Sequence, residues 1–173
     1  AVREMFRESQ RRIRSMALVH ERLYQSSDLS RIEFSQYLRN LATHLFQSYQ
    51  VTSNRVRLRL DTEEVFLNIN TAIPCGLIVN ELLSNALKHA FPDGRTGVVA
   101  VELHRSPAGA VVVSVTDDGV GYPPGINFRD TETLGMQIVN TLVGQLEGTI
   151  EYRGEGGTSL AVRFQELPQR TGA

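Results

Sequence analysis

Residues 2–25, VREMFRESQRRIRSMALVHERLYQ, hold no glycine or proline. Val2, Phe6, Ser9, Ile13, Met16, His20 and Leu23 recur along them at spacings of 4, 3, 4, 3, 4 and 3. This heptad seam predicts a helix packed lengthwise on other helices, with a partner the chain does not obviously supply. SSDLSRIEF breaks the pattern, with a short strand at Arg31–Phe34. Gln36–Gln50 reads as an amphipathic helix that turns Leu38, Leu41, Ala42, Leu45 and Phe46 inward. Val56–Leu60 alternates apolar and polar positions, as a half-buried strand does, and the turn-like DTEE joins it to a short strand at Val65–Ile69. A helix capped by Thr71, with Pro74 in its first turn, runs to Phe91, where PDG stops it. Val98–His104 and Ala110–Thr116 form the clearest strand pair, joined by RSPAG. After the loop DDGVGYPPG, Gly135–Glu147 is a helix ended by Gly148. Thr149–Arg153 and Thr158–Phe164 make a last hairpin around GEGG, and LPQRTGA reads as a disordered tail.

Strands that follow one another are mostly joined by short turns, so the sheet is expected to be mixed and largely antiparallel. Helices covering one face make the fold class α+β: a two-layer α/β sandwich with an added N-terminal helix. The expected divisions are residues 1–25 for that helix, 26–166 for the main domain and 167–173 for the tail.

Composition narrows the function classes. The chain has 173 residues and a formal net charge of −1, which gives no reason to expect nucleic acid or an anionic membrane as a partner. A lone cysteine, Cys75, excludes an internal disulfide and a cysteine-rich metal site; its apolar surroundings predict a buried, inert thiol. No apolar run approaches the roughly 18 residues that span a bilayer, and no signal peptide is evident. The chain starts in mid-pattern, so a soluble, cytoplasmic piece of a longer protein is expected. Its parent could be soluble or membrane-anchored.

Four segments carry candidate chemistry. NELLSNALKHAF (Asn80–Phe91) is largely apolar, yet Glu81, Asn85, Lys88 and His89 share a stripe along it. The Asn85 amide oxygen is a hard donor suited to Mg²⁺. Glu81 could act as a general base, and Lys88 and His89 could meet phosphate oxygens. In TDDGVGYP, Asp117 ends an apolar strand, where its carboxylate could accept a hydrogen bond from an amine such as adenine N6, while Gly119 and Gly121 permit close approach. TETLGMQIV opens a helix at a glycine, where backbone N–H groups attract phosphate. GEGGTSL sets Gly156, Gly157 and Thr158 before a strand. Singly, these segments also read as a solvated helix face, a DG turn, a loop-to-helix junction and a hairpin turn. The absence of GxxxxGKS/T excludes a P-loop site.

In order and spacing the four resemble the GHKL ATPases, and within them the catalytic ATP-binding domain of sensor histidine kinases. NELLSNALKHA is similar to the N box, DDGVGYP to the G1 box, TLGMQIV to the G2 box and GGTSLAVRF to the G3 segment. RIRSMALVHERLYQSSDLSRIEFSQYL and a short lid resemble the HWE-like and type-2 HisKA kinases. The likeness covers roughly residues 10–166 and implies a Bergerat-type fold with ATP and Mg²⁺ as ligands. It makes Asn85 the metal ligand, and Glu81 and Lys88 the catalytic pair. It implies a nucleotide-binding set of Asn85, His89, Asp117, Gly119, Gly121, Leu134, Gly135, Met136 and Thr158, with a lid over Tyr122–Leu134. Residues 1–25 would be the second helix of a dimerisation hairpin.

The implied function is supply of the γ-phosphoryl of Mg–ATP to a histidine, for relay to a response-regulator aspartate. The parent would be a homodimer. Its phosphoacceptor segment is not present here, so the piece is expected to bind nucleotide without phosphorylating itself. His20 superficially echoes an acceptor, but its seam position reads as structural. Thr133 stands where many members have a glycine, and Asp118 where they have asparagine. A GHKL clamp ATPase or an anti-sigma-type serine kinase is the alternative from another class.

Overall fold

The computed structural model describes residues 2–49, 55–128 and 133–168. In chain order it holds α1 (Val2–Tyr24), β1 (Ile32–Glu33), α2 (Phe34–Ser48), β2 (Val56–Thr62), β3 (Phe66–Leu67), α3 (Ile69–His89), β4 (Gly97–Arg105), β5 (Val111–Asp117), α4 (Leu134–Gln145), β6 (Thr149–Arg153) and β7 (Thr158–Phe164). The main sheet has five strands in the order β2-β4-β5-β7-β6. β2 and β4 run parallel and the other pairs antiparallel. The parallel pair needs a long crossover, and α3 supplies it. The fold is therefore α+β, with a mixed sheet, helices on one face and an N-terminal helix, as the sequence predicts. Among the described residues no helix is long and apolar enough to cross a membrane.

The central elements explain their own composition. β5 is buried from Val111 through Val115, because it pairs on both sides and α3 packs on it. β6, at the sheet edge, is mostly exposed. α3 touches α1, α2, α4 and β5, and is buried along most of its length. A helix enclosed this way is apolar on nearly every face, so any polar group on it must be accounted for.

At two places, after β2 and at the start of α3, the structure differs from expectation. The stretch after β2 does not turn back as a hairpin. Glu63 N–H instead donates to Leu103 O at 2.8 Å, which extends the pairing along β4. β3 then pairs with β1 in a separate two-stranded sheet, Ile32 opposite Leu67. The cap of α3 is Asn68, not Thr71: Asn68 Oδ1 accepts from Thr71 N–H at 3.2 Å. Pro74 lies inside the helix rather than in its first turn. Thr71 instead uses its hydroxyl to accept from Leu167 N–H at 3.0 Å, and Asn68 Nδ2 donates to Leu167 O at 2.6 Å. Leu167, expected in the tail, is thus tied to the start of α3. Residues 169–173 of that tail lie outside the described residues.

The heptad seam, expected to meet a partner outside this chain, is covered here only towards its C-terminal end. Val2, Phe6 and Ile13 are exposed by 64%, 66% and 67%, and His20 is exposed too. Towards α3 the helix turns Met16 and Leu23 of the seam together with the adjacent Arg12 and Val19; Val19 and Leu23 are fully buried. A Cβ at Gly76 of α3 would lie 3.1 Å from Val19 Cγ1 and 3.2 Å from Tyr37 Cε1. A side chain there would press on Val19 and Tyr37, so glycine favours this close approach.

Candidate nucleotide site

Glu81, Asn85 and His89 follow one another at four-residue intervals along α3, one turn apart on one face. Glu81 is 2% exposed, Asn85 half-buried and His89 exposed at the rim. The stripe therefore climbs from the interior to the surface. It borders a cavity of about 680 Å³. Asn85, Ala86 and His89 line one wall. Val115, Asp117, Thr158 and Leu160 of β5 and β7 form the floor. Gly121, Tyr122 and Pro123 close one end, and Thr133, Leu134 and Gly135 at the start of α4 the other. Glu81, Lys88, Gly119 and Met136 stand behind these walls. Asn85 turns its amide nitrogen to the Met136 sulfur at 3.9 Å, so its oxygen is the atom available to a cation.

Asp117 and Thr158 lie opposite each other in the β5–β7 pairing. Asp117 Oδ1 accepts from Gly119 N–H at 3.0 Å. Burial raises its pKa, while the N–H groups of Gly119 and Thr158 pull it back. The turn before Thr158 is forced by Gly157, whose φ is +135° and whose added Cβ would fall 2.0 Å from Asp117 O. The neighbouring Asp118 faces away and accepts from Val98 N–H at 2.7 Å, so the aspartate there secures β4.

Glu81 likewise has its pKa raised by burial, opposed by the charge and hydrogen bond of Arg12 and more weakly by Lys88. Arg12 Nε donates to Glu81 Oε1 at 2.9 Å. Lys88 Nζ donates to Glu8 Oε1 at 2.7 Å. Gly135 sits directly over this group: an added Cβ would be 3.0 Å from Glu81 Oε2, 3.2 Å from Arg12 Nη2 and 3.7 Å from Asn85 Nδ2.

Met5, Glu8, Ser9 and Arg12 of α1 also line the cavity, and no local signal announces them. Their place follows from how α1 docks on α3, which the heptad pattern does not specify. The first part of the expected lid is tied down. Phe128 packs on Tyr152 with centroids 3.8 Å apart and edge-on to Tyr122 at 4.8 Å, and its carbonyl accepts from Asn140 Nδ2 at 2.8 Å. Residues 129–132 of the lid lie outside the described residues. A second concavity of about 770 Å³ on the sheet's outer side touches Asp117 and Thr158 but none of Glu81, Asn85 or Gly135.

Comparison with known proteins decides the family. Residues 70–171 match the family described as histidine kinase-, DNA gyrase B-, and HSP90-like ATPase, and residues 1–49 match a family described as histidine kinase. The chain belongs to this ATPase family, in its histidine kinase branch. The chain is 32% identical over 165 residues to the sensor histidine kinase PdtaS of Mycobacterium tuberculosis, covering 93% of the chain and 32% of that relative. It is 31% identical over 170 residues to blue-light-activated histidine kinase 2 of Erythrobacter litoralis, with 93% and 47% covered. It thus spans about a third to a half of these relatives' length. The histidine kinase domain of Erythrobacter litoralis EL346 superposes with a TM-score of 0.80 at 26% identity, covering 92% of this chain and 82% of that one. Acinetobacter baumannii AdeS, at 17% identity and a TM-score of 0.63, shares the fold.

Proposed function

We propose that this chain binds Mg–ATP in the cavity between α3, α4 and the ends of β5 and β7, and supplies the γ-phosphoryl group to a histidine for relay to a response-regulator aspartate. The observation that carries the reading is that Asn85, Asp117 and Gly135, from three different elements, open on one cavity with Glu81 just behind it. Asp117 accepts the adenine amine, and Thr158 backs it. Leu134 and Gly135 present the N-terminal N–H groups of α4 to the phosphates. Glu81 orients or deprotonates the acceptor, and its raised pKa suits that exchange. Lys88 neutralises phosphate charge once released from Glu8, while His89 closes the rim. Among the described residues no three His, Cys, Asp or Glu side chains lie together as a metal cluster. Asn85 would therefore share a Mg²⁺ with the nucleotide's own phosphates. The ion would screen charge that builds on the transferring group.

In this reading the divisions are a helical segment to residue 25, an ATP-binding domain over 26–166, and a parent that dimerises through the helical part. The exposed Val2, Phe6 and Ile13 support the last point. The test is phosphorylation of the full-length parent with labelled ATP. Acid-labile phosphate on histidine supports the proposal; acid-stable phosphoserine, or free phosphate alone, would point to a serine kinase or a clamp ATPase.

A further inference from the structure

The α1 side of the cavity holds charges that the reading above does not use. Glu8 Oε1 lies 2.7 Å from Lys88 Nζ and 3.7 Å from Arg12 Nη2. One anionic oxygen thus sits between two cations, inside a cavity that Glu8 and Arg12 themselves line. This is the environment a phosphoryl oxygen would need. Arg12 is committed to Glu81 through Nε alone; a guanidinium carries five N–H donors, so its Nη atoms keep donors for a second anion. Nη2 also reaches the start of α4, 3.2 Å from the place a Cβ would take at Gly135. Arg12 is 14% exposed and Glu8 44%. The cation therefore lies largely buried in the wall, while the carboxylate reaches solvent.

We propose that Arg12 is a nucleotide-binding residue: with Lys88 it forms a two-cation seat for the terminal phosphoryl group of ATP, and the Glu8 carboxylate holds that seat until ATP displaces it. The inference rests on the cavity being an ATP site. It adds a donor from α1, outside the four motifs, and makes the seat selective. ADP has no terminal phosphoryl group and leaves Glu8 in place. ATP must exchange it. Because α1 belongs to the helical segment, the seat also joins that segment to the ATP-binding domain when triphosphate is bound.

The test is calorimetric affinity for Mg–ATP and Mg–ADP. The chain is compared with Arg12→Ala, Glu8→Gln, Glu81→Gln and the Arg12→Ala/Glu81→Gln pair. Loss of a charge-assisted contact predicts that Arg12→Ala weakens ATP about tenfold or more and leaves ADP nearly unchanged. Glu8→Gln tightens ATP and not ADP. The ATP-specific loss persists in the Glu81→Gln background, which separates contact with phosphate from a disturbed Glu81. An unchanged ATP-to-ADP ratio in every variant overturns the seat, as does a loss that disappears with Glu81→Gln. If the unsubstituted chain binds neither nucleotide, the ATP site itself fails, and the seat with it.

Discussion

Arg12 Nε donates to Glu81 Oε1 at 2.9 Å, joining the N-terminal helix to the buried carboxylate of α3. Desolvation pushes the Glu81 pKa up, and the Arg12 charge and hydrogen bond oppose that rise. Removing one partner of a buried pair strands the other. Arg12→Met is expected to cost about 3 kcal/mol in urea unfolding at neutral pH. Adding Glu81→Gln should recover most of it, since no charge is left unpaired. If the single and double variants unfold alike, the pair does not hold α1 to α3.

Asp117→Asn should act oppositely on binding and on stability. Loss of the charged acceptor is expected to weaken ATP about tenfold to a hundredfold. Stability should rise at neutral pH. A carboxyl whose folded pKa is raised favours folding below its unfolded value and loses that advantage as pH climbs through the folded value. At neutral pH the ionised Asp117 is therefore a burden that asparagine lifts. The gain should vanish below about pH 4, where the ordinary aspartate is itself protonated. Urea midpoints of the two chains across this range decide it.

Magnesium should matter through Asn85. Chelation by EDTA is expected to lower ATP affinity in the unsubstituted chain. Asn85→Ala should bind ATP weakly with or without the ion, because the protein's oxygen ligand is gone. Retained magnesium dependence in that variant would place the ion elsewhere.

Two glycines should respond differently to alanine. Gly157→Ala forces a Cβ to within 2.0 Å of Asp117 O at a φ of +135°, and backbone cannot yield as a side chain can. A loss of about 2 kcal/mol or more is expected in thermal unfolding. Gly135→Ala meets only the ends of Glu81, Arg12 and Asn85. Its stability should change by less than about 1 kcal/mol, while ATP binding falls because the start of α4 is crowded.

Asn68 both caps α3 and holds Leu167. Asn68→Ala is expected to cost about 1–2 kcal/mol. Truncation after Glu166 should cost part of the same stability, measurable as a lowered Tm. A truncated chain as stable as the whole would make the Leu167 contacts incidental.

The order of elements and the four motifs could be read along the chain, because each depends on local rules. Alternation marks β2, apolar runs around a short turn mark β4 and β5, and the hairpin Thr149–Arg153 with Thr158–Phe164 has the bounds its turn residues imply. The polar stripe Glu81, Asn85, Lys88, His89 on an apolar helix is also a local fact, since helical spacing alone puts those side chains together. Tertiary structure decided the rest. The heptad spacing was real, yet only its Met16 and Leu23 end met the domain, beside Val19 packed over Gly76. From that one docking choice came the exposure of Ile13 and the entry of Glu8 and Arg12 into the site. β3 paired with β1 rather than β2 for a similar reason, since the backbone groups after β2 already had partners on β4. Local sequence sets what a segment can be, but which surfaces meet is settled by packing between residues far apart in the chain, and no short-range pattern encodes that.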